Sequence, residues 1–326
     1  MRTLTVALIA LALSTGLIYD LASACAEGFD YHPYVRGAAD YLLSHYNDAL
    51  GMIYESELKE SHPLGYPDQY YDNTYWIYSD NYLASRALRE LAPSIAQNIS
   101  RTIRELKEKH NLPESGLYEV LFGDRISTRL RASNSILVES SRDYYIFADI
   151  HNGSEIRDWY DYSDLLCYQA LNFYWRGELE TAKELWFKAY SMYDGKGLYD
   201  KATRNDGFYA NYKLALLVYS AEIIKPDVDL EPLKRRLLDF QDKASGGIVS
   251  LSDLEGNPVG SCNAETTSLF ILALHSSGNF GNRPSDLAVL ITRYGGLIVG
   301  LVMAGSLVYF FYQLFRDFPR PNRSHL

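Results

Sequence analysis

The chain has 326 residues, with 41 Asp and Glu against 31 Lys and Arg and a pI near 5.2. Hydrophobic residues make up 47%, enough for a sizeable core, so wholesale disorder is excluded. The acid excess disfavours a nucleic-acid partner, because few phosphates could be neutralised, and three cysteines are too few for a disulfide-built scaffold.

The first element is apolar. Arg2 supplies a positive start, Leu4–Ile18 is a run of 15 residues without charge, and Ala22-Ser23-Ala24 offers small residues for cleavage. That is the layout of a secretory signal peptide over residues 1–24. The alternative is an uncleaved anchor, although about 20 residues are usual for a span. Cys25 follows an incomplete lipid-attachment box, with Ala22 where Leu is expected.

A body over residues 25–286 follows and reads as helices joined by glycine-punctuated loops. The expected helices are Tyr34–Tyr46, Tyr75–Leu91 (stopped at Pro93), Ser94–Lys109, Trp159–Trp175, Glu178–Tyr193, Tyr209–Ile224, Leu230–Gln241 and Ala264–Leu274. In the fourth and fifth, Ala170, Gly177, Ala182 and Trp186 look like one tetratricopeptide unit, with small residues letting two antiparallel helices approach. A solenoid needs at least about three such units, so a packed hairpin is expected. Gly51, Gly116, Gly197 and Gly246-Gly247 each join a turn to a short apolar run. Several of these lead into aromatic-rich or polar helix starts, namely Tyr75–Asp80, Trp159–Asp164, Phe208–Tyr212 and Asn263–Thr267. Cys167 and Cys262 could pair in an oxidising exterior. Asn98-Ile99-Ser100 and Asn152-Gly153-Ser154 match the glycosylation sequon.

After a juxtamembrane stretch (287–293), Tyr294–Phe315 runs 22 residues without a charge. As a helix it would reach roughly 33 Å, enough for the hydrocarbon core. Arg316, Arg320 and Arg323 follow it, so the positive-inside rule keeps the tail 316–326 in the cytoplasm and the body outside, as a single-pass type I protein of the cell membrane. Gly296 and Gly300 fit the small-residue pattern for helix pairing. Setting aside Arg2, Arg293 and the three tail arginines, with Asp20 and Asp317, leaves 26 positive and 39 negative charges, a net −13 on the body. Such a surface favours solubility and repels acidic polymers unless a local basic patch intervenes.

The body resembles the α/α-toroid superfamily, the architecture of six-hairpin glycosidases and related lyases and epimerases. The likeness covers most of residues 31–274 and rests on Trp76-Ile77-Tyr78-Ser79-Asp80-Asn81, Asp158–Asp164 and Gly207-Phe208-Tyr209. The chain also resembles membrane-anchored archaeal surface proteins of the same plan. The resemblance implies an all-α ring of helical hairpins with short β-like loop segments, whose loops converge at one end on a central cavity. No family catalytic signature matches position by position.

Within such a ring, acids at helix starts face the cavity. Glycoside cleavage needs one protonated and one ionised carboxyl, and acids beside aromatic rings can have their proton affinities pushed apart. Asp80 and Asp164 are the first candidate pair, with Glu265 in reserve. Asn73, Trp76, Tyr78, Trp159, Asp161, Tyr162 and Asn211 are candidate substrate contacts, because flat rings with polar edges suit sugar faces. The competing role for each acid is helix capping, worth roughly 0.5–2 kcal/mol. The seven histidines show no paired ligand spacing, so no metal or cofactor is expected. Asp158, Asp161 and Asp164 could hold calcium through oxygen atoms, but lack the patterned ligand run of a calcium loop. No Gly-x-Ser-x-Gly elbow and no phosphate-cradling glycine loop occurs. The expectation is a surface protein that binds or cleaves carbohydrate. The rivals are a non-enzymatic envelope component making protein contacts and a tetratricopeptide-like peptide scaffold.

Overall fold

The computed structural model describes residues 29–56 and 73–275. The chain divides into two units, Met1–Ser277 and Gly278–Leu326. The expected signal segment, spanning segment and tail lie outside the described residues. Among those described, no helix is long and apolar enough to cross a membrane.

Helix α1 (His32–Ser44) opens with Pro33 in its first turn, where a missing N–H does no harm, and buries Val35, Ala38, Ala39 and Leu42 along one stripe. Strands β1 (Tyr46–Asn47) and β2 (Met52–Ile53) form a small hairpin. Strand β3 (Thr74–Trp76) runs directly into a six-residue π-helical turn, Ile77–Tyr82, and the short helix α2 (Leu83–Ala87). Helix α3 (Pro93–His110) starts on proline and ends at Asn111 in the left-handed conformation, with Lys107, Lys109 and His110 complementing its C-terminal dipole. A 3₁₀ turn, Tyr118–Phe122, precedes β4 (Asn134–Ser140) and β5 (Tyr145–Ile150). The hairpin α4 (Ser163–Trp175) and α5 (Leu179–Tyr190) is followed by α6 (Lys201–Asp206), β6 (Tyr209–Ala210), α7 (Asn211–Ile224), α8 (Glu231–Leu238), β7 (Val249–Ser252), β8 (Pro258–Cys262) and α9 (Ala264–His275).

The core is set by two helices that are apolar on nearly every side. In α7 the run Leu214–Ala221 is buried throughout, and in α9 so is Thr266–Ala273. Such helices are stable only when surrounded. Helix α9 packs between α7 on one side and α1 and α2 on the other, and α7 packs in turn against α4 and α8. Trp186 of α5 is fully buried, stacks on Tyr190 at 5.2 Å, and donates its indole N–H to the Leu217 carbonyl at 3.1 Å. The α4–α5 pair is therefore a hairpin locked onto the core.

This architecture is mixed α/β, which corrects the all-α toroid. Among the described residues three small sheets are present: β1-β2, β3-β5-β4 and β6-β7-β8. The correction has a definite cause. The local pattern places Tyr75 and Trp76 in a helix, but they pair in parallel with Ile146 and Phe147, a partner far along the chain. Non-local pairing of this kind overrides a local helical pattern. Cys167 and Cys262 are not joined to each other; Cys262 Sγ lies 3.9 Å from Ser245 Oγ.

The glycine turns have a steric basis at Gly246. Its φ is +80°, and a Cβ there would sit 2.4 Å from the Gly37 carbonyl oxygen. Gly246→Ala should therefore destabilise the fold by roughly 1–3 kcal/mol, read as a lowered urea midpoint; an unchanged midpoint would contradict this packing.

Candidate functional site

Helix starts and strand ends from separate parts of the chain meet at one place. The Ala264 N–H donates to the Glu55 carbonyl at 2.8 Å, and the Glu55 N–H to the Thr74 carbonyl at 2.9 Å, so the start of α9 is tied to the end of the first hairpin and to β3. The parallel pairing of β3 with β5 brings Asp149 beside the π-helical turn, where its Oδ1 accepts from the Ser79 N–H at 3.3 Å. Tyr118 donates to Glu265 Oε1 at 3.5 Å, and Tyr212, in the first turn of α7, donates to Asp164 Oδ2 at 2.6 Å. Glu55, Asp80, Asp149 and Glu265 thus surround one another, with Asp164 alongside.

Their proton affinities are displaced upward. Burial pushes Glu265 to about 8, aided by the charges of Asp149, Glu55 and Asp164 and opposed by the Tyr118 phenol. Burial likewise lifts Glu55 to about 7, against the Trp76 indole N–H at 3.0 Å. It lifts Asp149 to about 6, against backbone N–H donors. Asp80 is only 2% exposed and rises well above the ordinary carboxylate range, through burial first and then Glu55, Glu265 and Asp149. Among the described residues its Oδ2 has no hydrogen-bond partner. Carboxyls crowded in this way cannot all ionise, so at neutral pH the group shares protons. Tyr118, Tyr168 and Tyr212 are held well above the usual phenol range, first by burial and then by these same acids, and Tyr118 and Tyr212 act as neutral donors.

The other side of the site carries a buried cation. Lys213 is 3% exposed; its Nζ lies 2.7 Å from Asp200 Oδ2 and 3.8 Å from Asp164 Oδ1. Asp200 is fully buried and also accepts from Ser163 N–H and Oγ–H and from the Thr203 N–H that it caps at the start of α6. Burial raises the Asp200 carboxyl, but the Lys213 charge and these donors outweigh it and hold it below its ordinary value. The five clustered acids therefore fall into two sets: four crowded ones without a cation, and Asp164 with one.

The candidate residues separate accordingly. Asp80, Asp164 and Glu265 come together, with Asp80 beneath and the other two partly exposed. Trp76 is at the site, stacked on Phe147 at 5.0 Å. Tyr78 is buried, and its hydroxyl donates to the Pro113 carbonyl. Asn211 is buried too and ties α7 to β7, donating to the Val249 carbonyl and accepting from Ser252, each at 2.8 Å. Trp159 and Asp161 lie in the 3₁₀ turn before α4, where the Asp161 N–H bonds the Asp158 carbonyl. Tyr162 precedes α4 with Lys201 5.7 Å over its ring, while Asn73 is exposed and accepts from the Tyr145 N–H through its carbonyl. Asp158 pairs with Lys201. Among the described residues no group of three His, Cys, Asp or Glu side chains is placed to hold a metal ion.

Glu55, Asp149, Tyr118, Tyr168, Asp200, Tyr212 and Lys213 are the members that sequence reasoning missed. Only Lys213 left a usable signal, as a charge immediately before the apolar run Leu214–Val218. No protein-family model, curated protein or solved structure matches this chain.

Proposed function

We propose that this site binds carbohydrate and cleaves a glycosidic bond, in a protein displayed at the cell surface. Glu265, holding its proton at neutral pH, donates to the leaving oxygen, while Asp164, beside Lys213, supplies the anionic partner. Asp80 lies too deep to touch a sugar, and burial together with the charges of Asp149, Glu55 and Asp164 keeps Glu265 protonated. The observation that carries this reading is the division of neighbouring acids between a crowded, cation-free set and one beside an ammonium group, the pattern by which acid and base roles are separated. Tyr118, Tyr212 and Trp76 provide polar-edged rings around it.

The experiment is Asp164→Asn tested on a panel of oligosaccharides by release of reducing ends. A loss of about 10²–10⁴-fold in turnover is expected, with the unfolding midpoint close to that of the parent. Undiminished turnover would remove Asp164 from the chemistry. The alternative, a non-enzymatic surface component, draws on the backbone donation to Asp149, a structural use of one acid. It predicts no turnover by the parent on any member of the panel.

A further inference from the structure

A cavity of about 540 Å³, lined in part by Gly116, Arg125, Arg129, Arg131 and His151, is linked to the carboxyl group through His151. His151 joins the two places: its ring meets Tyr118 edge-on at 5.7 Å, and its imidazole feels the charge of Asp164. Tyr118 in turn donates to Glu265.

The arginines stand on a loop that is fixed from both sides. The Ile126 N–H donates to Asn172 Oδ1 at 3.1 Å, Gln169 donates to the Ser127 carbonyl at 3.0 Å, and Arg176 donates to the Ile126 carbonyl at 2.8 Å. Beyond them, Ile156 N–H donates to the Leu130 carbonyl and Ala132 N–H to the Ser154 carbonyl, each at 2.9 Å. Arg125 and Arg131 are each steadied by one bond to a backbone carbonyl, of Trp175 at 3.3 Å and Gly153 at 3.0 Å. Among the described residues none of the three guanidiniums is ion-paired with a carboxylate. Glu114 pairs with Lys107 at 2.7 Å, and buried Glu119 accepts from Ser115 N–H, Ser115 Oγ–H and Gly116 N–H. That leaves two carboxyls without a cation partner among the described residues, Glu119 and Asp124, against three guanidiniums in the wall. In a chain with net charge −10, three exposed arginines without a carboxylate ion pair among the described residues are the local basic patch that an acidic ligand requires.

We propose that Arg125, Arg129 and Arg131 form a subsite for an oxyanion carried by the saccharide, either a uronate carboxylate or a sulfate ester; this rests on the carbohydrate reading above. Guanidinium forks match both groups through paired N–H donors.

The test is calorimetric titration of the full-length protein, in a detergent that contains no sugar. The probes are trigalacturonate, its methyl ester, sulfated maltotriose, maltotriose and sodium sulfate. An acidic trisaccharide should bind at least about tenfold tighter than its neutral counterpart. Arg129→Gln and the pair Arg125→Gln/Arg131→Gln should erase that margin and leave neutral binding alone. Raising salt from about 50 to about 300 mM should narrow it. Preference for trigalacturonate alone identifies the carboxylate as the ligand group, and preference for the sulfated sugar alone identifies the sulfate. Equal affinity for charged and neutral sugars, or a margin that survives both variants, overturns the subsite and leaves the carbohydrate reading standing. Arginine-dependent binding of sulfate ion with no saccharide bound upholds the subsite and removes the carbohydrate reading. Absence of binding by every probe overturns both.

Discussion

Glu265→Gln should make the protein more stable at pH 8 than the parent, while removing its turnover. The sign follows from proton linkage. Burial and neighbouring acids raise the Glu265 carboxyl from 4.5 to about 8 in the folded state. Below pH 4.5 it is protonated whether the chain is folded or not, and its favourable contribution is fully present. As pH rises towards 8 the unfolded chain releases this proton and the folded one holds it, so stability falls by about 1.4 kcal/mol per pH unit for one such group. Glu55 and Asp149, lifted to about 7 and 6, act in the same direction over lower windows. A glutamine amide at this position cannot titrate, so the variant should lose stability less steeply and exceed the parent by about 2–4 kcal/mol at pH 8, with little difference at pH 4. Urea unfolding at about pH 4, 6 and 8 measures this directly. A variant weaker than the parent at every pH would mean that Glu265 is a structural acid. A gain in stability with loss of function is the expected signature of a group kept for chemistry.

Lys213→Met should have the opposite effect, a loss of about 3–5 kcal/mol near pH 7, because it leaves the fully buried Asp200 without its cation. Here the folded carboxyl is depressed, so its contribution is present above the unfolded value of 3.8 and fades as pH falls through the lower folded one. The deficit of the variant should therefore shrink in acid. The double variant Lys213→Met/Asp200→Asn should recover part of the loss, because no orphaned charge remains, and the cycle of four proteins gives the coupling. A deficit that is independent of pH and unrelieved by Asp200→Asn would show that Lys213 serves only as packing.

What can be read from residues alone follows a physical dividing line. Asp80, Asp164 and Glu265 stand out because each lies near the start of a helix, where spacing along the chain reports position in space. Helices α1, α3, α4, α5, α7, α8 and α9 are legible from their apolar spacing, to within a few residues at their ends. Glu55 and Asp149 give no such cue. Glu55 follows a two-residue strand, and Asp149 interrupts an apolar stretch whose neighbours are chosen by pairing with residues some seventy positions earlier. The same pairing turns Thr74–Trp76 into strand and overturns the all-α expectation. The terminal segments, read as an export signal and an anchor, lie outside the described residues.

The bond from the Ala264 amide to the Glu55 carbonyl, together with that from the Tyr41 hydroxyl to the Cys262 carbonyl at 2.9 Å, has a consequence for biogenesis. A nascent chain emerging in order would have made α1 and α7 long before α9, the helix that both must enclose. Until translation reaches residue 275, those greasy flanks stay bare, and they are the surfaces that holding chaperones grip. Chains stalled or clipped before α9 should accordingly be cleared by proteases, with no partly active fragment accumulating.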